Sequence, residues 1–339
     1  DTFDWALFAR DATLEERRSG SCRMLVLQDL HAESLPSEQG TDGAPGFGWD
    51  LPPGPVRERV APIVGVRCLL PLLHVETESQ TLRLLDEDDK TVARVVVERN
   101  RFDDPTRERR GALSARLHLL SVKGYVKEYK AIARTLEQDL GLDAARTPLI
   151  LEALAAAGRQ PGAYSSKLDY HLDPGRRADA STKEILMGLL ATLEANIAGT
   201  RANLDSEFLH DLRVATRRTR SALTQIKDVF PSQLVEGYKE RFAWLQQITG
   251  PVRDLDVYLL DFDGYQRSLP PALRCHLEPL REFLLAHYEE EQRNLAEALD
   301  SQQFRDLLDD WRTFLEAPVP ERSAVPNALR ATKELADDR

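Results

Sequence analysis

The chain has 339 residues, which is long enough for two domains with separate hydrophobic cores. Hydrophobic residues make up 42% of it, yet no apolar run approaches the ~18 residues of a membrane span, which argues against a membrane protein. The formal net charge of -11 argues against sequence-specific nucleic-acid binding, because such proteins usually carry a basic surface over a whole domain. Cys22, Cys68 and Cys275 have neither metal-ligand spacing nor the density of a disulfide framework, which favours a cytoplasmic location.

The first 122 residues are rich in short runs of the residue types that favour β-strands. Five strands are predicted, at 22–28, 66–75, 80–85, 91–98 and 113–120. Two helices are predicted after them, at 124–140 and 147–157. We therefore expect a β domain over residues 1–160. Residues 161–180 carry glycine and proline without a sustained period, which is typical of a linker.

A helical period begins at residue 181 and continues to about 316, and an all-α second domain is predicted over 181–339, so the expected fold class is multidomain α+β. The predicted helices lie at 181–203, 206–230, 233–249, 252–263, 272–299 and 302–316. Pro231 is expected to end the second of these helices. The pair Gly250-Pro251 is expected to separate the third from the fourth, since proline disfavours helix at the residue before it. A further helix is expected to begin within 327–339.

One of these helices has a strongly basic face. At 100° per residue, one side carries His210, Arg213, Arg217 and Arg220, with Arg218 at its edge. The opposite side carries apolar and small residues: Leu209, Leu212, Ala215, Thr219, Leu223, Ile226 and Phe230. From Arg213 to Lys227 every charged residue is basic, in a chain that is acidic overall. This pattern indicates either a binding site for a polyanion or an ordinary solvated helix face.

Two short motifs in this region resemble the CHAD domain, the conserved histidine α-helical domain. The first is His210-x-x-Arg213-Val214-x-x-Arg217-Arg218-x-Arg220, and the second is Gly250-Pro251-Val252-Arg253-Asp254-Leu255-Asp256-Val257. The resemblance covers about 180–317 and implies a helical bundle that binds inorganic polyphosphate. It implies phosphate contacts from His210, Arg213, Arg217, Arg218 and Arg220, with the positive surface extended by Lys227, Lys239, Arg241 and Arg253. His210 can add a further cation when protonated, and we expect Asp254 to pair with an arginine of the bundle.

The CHAD family consists of two similar helical halves, and one histidine–arginine helix is present here. The bundle is therefore expected to be incomplete at its C-terminus, with an apolar face left exposed. Exposed apolar faces of this kind favour self-association.

The N-terminal part resembles a CYTH domain, also called a triphosphate tunnel metalloenzyme, in its Asp1-Thr2 opening, its β-runs and Lys123-Gly124-Tyr125 before a helix. The resemblance implies an antiparallel β-tunnel with the first strand missing. Such a tunnel holds triphosphate and divalent metals. This chain departs from the family pattern, because Arg94, Arg116 and His118 stand on strands that usually supply acidic ligands. Cations there repel a divalent metal. Arg83, Arg94 and Arg116 are either residual phosphate contacts or ordinary exposed strand charges.

The leading hypothesis is a bacterial, cytoplasmic polyphosphate-binding protein, at polyphosphate granules, with a degenerate CYTH-like domain, no catalytic residues and no cofactor. One alternative is a metal-dependent inorganic triphosphatase, which requires Mg²⁺ or Mn²⁺. A second alternative is a scaffold whose basic helix binds an acidic protein partner. The other histidines, among them His31, are isolated and indicate surface or packing positions.

Overall fold

The computed structural model describes residues 1–30 and 35–337, so His31 lies outside the described residues. The chain divides into two compact units. The first comprises Asp1–Val64 and Leu69–Ala163 and contains all the strands. The second comprises Gly65–Cys68 and Tyr164–Arg339 and is helical. The short segment Gly65–Cys68 therefore belongs to the helical unit, although it precedes most of the β-rich sequence.

The first unit begins with a three-stranded antiparallel sheet. Its strands are β1 (Ala12–Ser19), β2 (Cys22–Asp29) and β3 (Ser37–Gly40), in that order. Helix α1 (Pro55–Val64) buries Val56, Val60 and Val64, which lie four residues apart and so form one face of the helix. These valines share a core with Leu25 and Leu27 of β2. Neither β3 nor α1 was predicted from the sequence.

The second sheet of this unit is also antiparallel. Strand β5 (Thr91–Asp104) pairs with β4 (His74–Leu85) along one edge, and with β6 (Arg109–Ala112) and β7 (Arg116–Ser121) along the other. Helices α2 (Val126–Arg134) and α3 (Leu149–Ala156) follow. Within residues 1–30 and 35–337 no strand pairing joins the two sheets. The predicted antiparallel β class is confirmed, and its hydrogen bonds form two separate sheets.

Two strand boundaries differ from the prediction for physical reasons. The strand predicted at 66–75 begins only at His74, because Arg67 and Cys68 bind carboxylates of the helical unit instead. The strand predicted at 80–85 is the end of a continuous strand that starts at His74. The first part of that strand is polar and solvent-exposed, so it carries no apolar signal.

The helical unit contains eight α-helices in the described residues. They are α4 (Ala178–Arg201), α5 (Ser206–Gln225), α6 (Ser232–Ile248), α7 (Gly250–Leu260), α8 (Phe262–Ser268), α9 (Glu278–Leu299), α10 (Gln302–Glu316) and α11 (Thr332–Asp337). One core joins α4, α5, α6, α7, α9 and α10, and Trp311, Phe242 and Leu212 lie at its fully buried centre. The predicted all-α class of this region is confirmed.

Three helix boundaries correct the prediction. Helix α5 ends at Gln225 rather than near 230, because Ile226 leaves the helical conformation and Asp228 has a φ of 58°. Lys227 therefore lies in the turn after the helix and not on its basic face. Pro251 stands in the first turn of α7, where the missing N–H costs nothing. The helix predicted at 252–263 is divided at Asp261 into α7 and α8.

No helix in the described part of the chain is long and apolar enough to cross a membrane. Several large apolar side chains on α7, α8 and α9 are nevertheless exposed, namely Val257, Tyr258, Leu260, Tyr265, Leu280, Phe283 and Leu285. Self-association of the protein through this surface stays a prediction.

Candidate functional site

Helix α5 separates apolar from basic residues as the sequence predicts. Asp205 begins the helix, since its carboxylate accepts hydrogen bonds from the backbone N–H groups of Glu207 and Phe208 at 2.9 and 3.2 Å. The side that packs into the core buries Phe208, Leu209, Asp211, Leu212, Ala215, Thr216, Thr219 and Leu223. His210, Arg213, Arg217 and Arg220 lie on the other side and are half-buried or exposed. We call these four residues, with Arg218, the α5 basic face.

Arg213 is the cation of this face that makes the most hydrogen bonds to the rest of the protein. Its Nη1 donates to the carbonyl oxygen of Gln246 at 2.9 Å and to Oγ1 of Thr249 at 2.8 Å. Burial lowers the pKa of Arg213, and the carboxylate of Asp254 opposes that shift. Arg213 thus connects α5 to the end of α6 and keeps its charge at neutral pH.

The other members of the face are less constrained. Arg217 and Arg218 are exposed, and Nη1 of Arg218 donates to the carbonyl oxygen of Ser166 at 2.9 Å. The side chains of His210, Arg217 and Arg220 have no hydrogen-bond or ion-pair partner among the described residues, and the same holds for Lys227. Because no carboxylate neutralises them, these groups keep a local positive potential.

Three cations that the sequence placed near this face are instead paired with carboxylates. Lys239 binds Glu236 at 2.8 Å, and Arg241 binds Asp310 of α10 at 2.8 Å. Arg253 donates to the carbonyl oxygen of Ser206 at 3.2 Å. The carboxylates of Glu207 and Asp256 each lie 3.9 Å from the same nitrogen of Arg253. These three residues therefore add less net positive charge than their sequence positions indicate.

The acidic residue that lies beside an arginine of the bundle is Asp256. It is buried, and burial raises its pKa to about 6, although the nearby Tyr288 hydroxyl and the Arg253 charge lower it. Asp254, which the sequence analysis expected to pair, is exposed and acts on Arg213 through its charge. The sequence does not show which of the two aspartates lies beside an arginine, since only packing decides which one is buried.

The cations of the second sheet also include both exposed residues and residues paired with a carboxylate. Arg83 and Arg94 stand directly opposite each other in the β4–β5 register, and both are exposed. Arg116 is bound by the carboxylate of Glu152 at 3.0 Å and by the carbonyl oxygen of Thr147 at 2.8 Å. On the same sheet face His118 lies 3.1 Å from the carboxylate of Glu98. No group of three or more His, Cys, Asp or Glu residues that could hold a metal occurs in the part of the chain described.

Comparison with known families identifies the helical unit. A family model described as the CHAD domain matches residues 184–339. The match begins in α4 and includes the whole α5 basic face as well as the second motif at the start of α7. The helical unit therefore carries a CHAD domain. The β-rich N-terminal unit has no match to the CYTH family. No curated protein matches the chain.

Proposed function

We propose that the helical unit binds inorganic polyphosphate along the α5 basic face. The CHAD match supports this reading, because that domain is linked to polyphosphate. The observation that carries the proposal is the absence of a neutralising carboxylate at Arg217 and Arg220, among the described residues of a protein with a formal net charge of -11. Unpaired guanidinium groups are suited to phosphate, since their planar donors bind its oxygens in pairs.

The positions of the cations fit a linear anion. Arg213, Arg217 and Arg220 follow one side of α5 over about 10 Å, at ~1.5 Å of rise per residue. Helices α5 and α6 are joined by a short turn and run antiparallel, since Arg213 in the first half of α5 contacts Gln246 near the end of α6. Lys239 therefore lies at the level of Arg220, and Arg253 lies at the start of α5. These two ion-paired residues would extend the site at its ends if phosphate displaced their carboxylates.

The test replaces both unpaired arginines. Arg217→Glu with Arg220→Glu should weaken the binding of long-chain polyphosphate by at least a hundredfold in calorimetry, because each charge-assisted contact contributes about 1.5–3 kcal/mol. The matched control is Arg293→Glu with Arg322→Glu, two exposed arginines of the same unit that change the net charge equally. The control should bind nearly as the unmodified protein does. Equal affinities of the two variants would contradict the proposed site.

A polypeptide competitor separates this proposal from the scaffold alternative. Polyaspartate carries a carboxylate on each residue and no phosphate. If it bound the α5 basic face as tightly as polyphosphate of equal charge, the face would be a general docking surface for acidic partners. We expect polyphosphate to bind more tightly, since arginine matches the phosphate oxygens bidentately.

We further propose that the N-terminal unit is a CYTH-like domain that retains phosphate affinity without hydrolysis. Arg83 and Arg94 repel each other across the β4–β5 pair, and an anion between them relieves that repulsion. Arg116 is already occupied by Glu152 and is the weakest of the three candidates. Glu98 on this face is engaged with His118, and Glu152 is engaged with Arg116, which argues against the metal-dependent triphosphatase alternative. A cytoplasmic location at polyphosphate granules belongs to the same proposal.

A further inference from the structure

Thr249 stands at the junction of α6 and α7 and is completely buried. Its hydroxyl has two acceptors in its own helix, the carbonyl oxygen of Leu245 at 2.8 Å and that of Gln246 at 3.1 Å. The hydroxyl oxygen, Oγ1, accepts the hydrogen bond from Nη1 of Arg213 at 2.8 Å. Thr249 therefore uses its hydroxyl both as a donor, to its own helix, and as an acceptor, for an arginine of the α5 basic face.

The contact holds the Nη1 nitrogen of the Arg213 guanidinium in place. Nη1 donates hydrogen bonds both to Oγ1 of Thr249 and to the carbonyl oxygen of Gln246. Within the described residues, Nε and Nη2 of Arg213 have no hydrogen-bond partner, and these donors remain available for an oxyanion. The Gln246 carbonyl belongs to the last turn of α6, where the helix dipole also favours a cation.

Arg213 differs in this respect from its neighbours on the helix. Arg217 and Arg220 have no protein acceptor among the described residues, so their side chains must lose conformational freedom when an anion binds. Arg213 has already lost much of that freedom in the folded protein. A preordered donor binds more tightly than a mobile one of the same charge, because less entropy is lost on association.

We propose that Thr249 is a positioning residue, which holds Arg213 in the orientation that receives a phosphate of the polyanion. The inference rests on the proposed function and adds that Arg213 is held in place on the α5 basic face before the anion binds. The role belongs to the hydroxyl of Thr249, which the sequence motifs did not include.

Thr249→Val tests the inference, since valine keeps the shape of the side chain and removes the hydroxyl. We expect polyphosphate affinity to fall by about tenfold, the effect of one charge-assisted hydrogen bond. Thr249→Ser retains the hydroxyl and should bind as the unmodified protein does. The salt dependence of binding should be the same in all three proteins, because none of the changes removes a charge.

A double-mutant cycle with Arg213→Ala distinguishes positioning from a general loss of stability. If Thr249 acts through Arg213, Thr249→Val should have no further effect on affinity once Arg213 is alanine. An equal loss in both backgrounds would overturn the inference. So would unchanged affinity of Thr249→Val in a protein that binds polyphosphate. Failure of the unmodified protein to bind polyphosphate would overturn the proposed function itself.

Nuclear magnetic resonance of the arginine side chains covers the case in which Thr249→Val does not fold. In the unmodified protein, the Nη protons of Arg213 should give separate resonances, because the two hydrogen bonds that Nη1 donates restrict rotation of the guanidinium. Arg217 provides the internal comparison and should give one averaged resonance. An averaged resonance for Arg213 as well would overturn the inference.

Discussion

Arg67 donates a hydrogen bond from Nη2 to the carboxylate of Asp211 at 2.8 Å, although the two residues are 144 positions apart. Tyr164 donates to the same carboxylate oxygen at 2.9 Å. Asp211 is the acidic residue within the basic motif of α5, and it is buried on the side away from the cations. Its charge is thus neutralised inside the helical unit. Asp211 therefore takes little positive potential from the α5 basic face.

Replacement of Arg67 should destabilise the helical unit. Arg67→Met leaves the buried carboxylate of Asp211 without its cation, and the free energy of unfolding should fall by about 3–5 kcal/mol. Urea unfolding followed by circular dichroism measures the change. Adding Asp211→Asn to Arg67→Met should recover part of the loss, because the amide has no charge to bury, while the buried carboxylate of Asp205, 3.8 Å from Arg67, still lacks its cation. A double variant as unstable as Arg67→Met would show that the unpaired charge of Asp211 is not responsible.

Charge reversal should change stability by very different amounts at two neighbouring arginines of α5. Arg213→Glu sets a carboxylate against two oxygens, Oγ1 of Thr249 and the carbonyl of Gln246, and should lower the free energy of unfolding by about 2–4 kcal/mol. Arg217→Glu changes an exposed residue without a partner in the described chain. It should alter the free energy of unfolding by no more than about 0.5 kcal/mol. Thermal and urea unfolding compare the two. Equal stabilities would mean that Arg213 has no structural role.

The stability of the helical unit should depend on pH through Asp256. Its pKa is about 6 in the folded protein against 3.8 ordinarily, so between roughly pH 4 and pH 6 the folded state holds a proton that the unfolded state has released. Stability from this group is therefore present at low pH and is lost as the pH rises through about 6. The charged groups around Asp256 are Arg253, Glu207 and Asp205, and Tyr288 is its titratable neighbour.

Asp256→Asn removes this titration. The variant should gain stability relative to the unmodified protein as the pH rises from about 4 to about 7.5, by roughly 2–3 kcal/mol over the window. Urea unfolding at several pH values measures the difference. Asp254→Asn, an exposed neighbour, is the matched control and should follow the unmodified protein. Parallel pH profiles for Asp256→Asn and the unmodified protein would exclude Asp256 as the titrating group.

Hydrolysis of triphosphate should be negligible with either Mg²⁺ or Mn²⁺. Arg83, Arg94 and His118 occupy the face on which a metal would need carboxylates, and Glu98 is engaged with His118. A phosphate-release assay decides the matter. Metal-dependent turnover above about 1 s⁻¹, which is a typical enzyme scale, would establish the triphosphatase alternative instead.

Local periodicity predicted the features of the helical unit that depend on neighbouring residues. The apolar side of α5 was predictable, because residues three and four positions apart share a helix face whatever surrounds the helix. The end of α5 was not, since Ile226 and Asp228 leave the helical conformation before Pro231, the residue expected to end the helix. The role of Thr249 was also not predictable, as a threonine before Gly250-Pro251 carries no local signal for an arginine on another helix.

The sequence by itself determined that a basic helix face exists, that the second half of the chain is helical and that the first half forms antiparallel strands. Only the tertiary structure decided which cations remain free to bind an anion. Arg241 is paired through Asp310, 69 positions away, and Arg116 through Glu152, 36 positions away, whereas Arg217 meets no carboxylate in the described residues. Electrostatic neutralisation depends on distance in space, and the partners of these charges are brought close only when the chain folds.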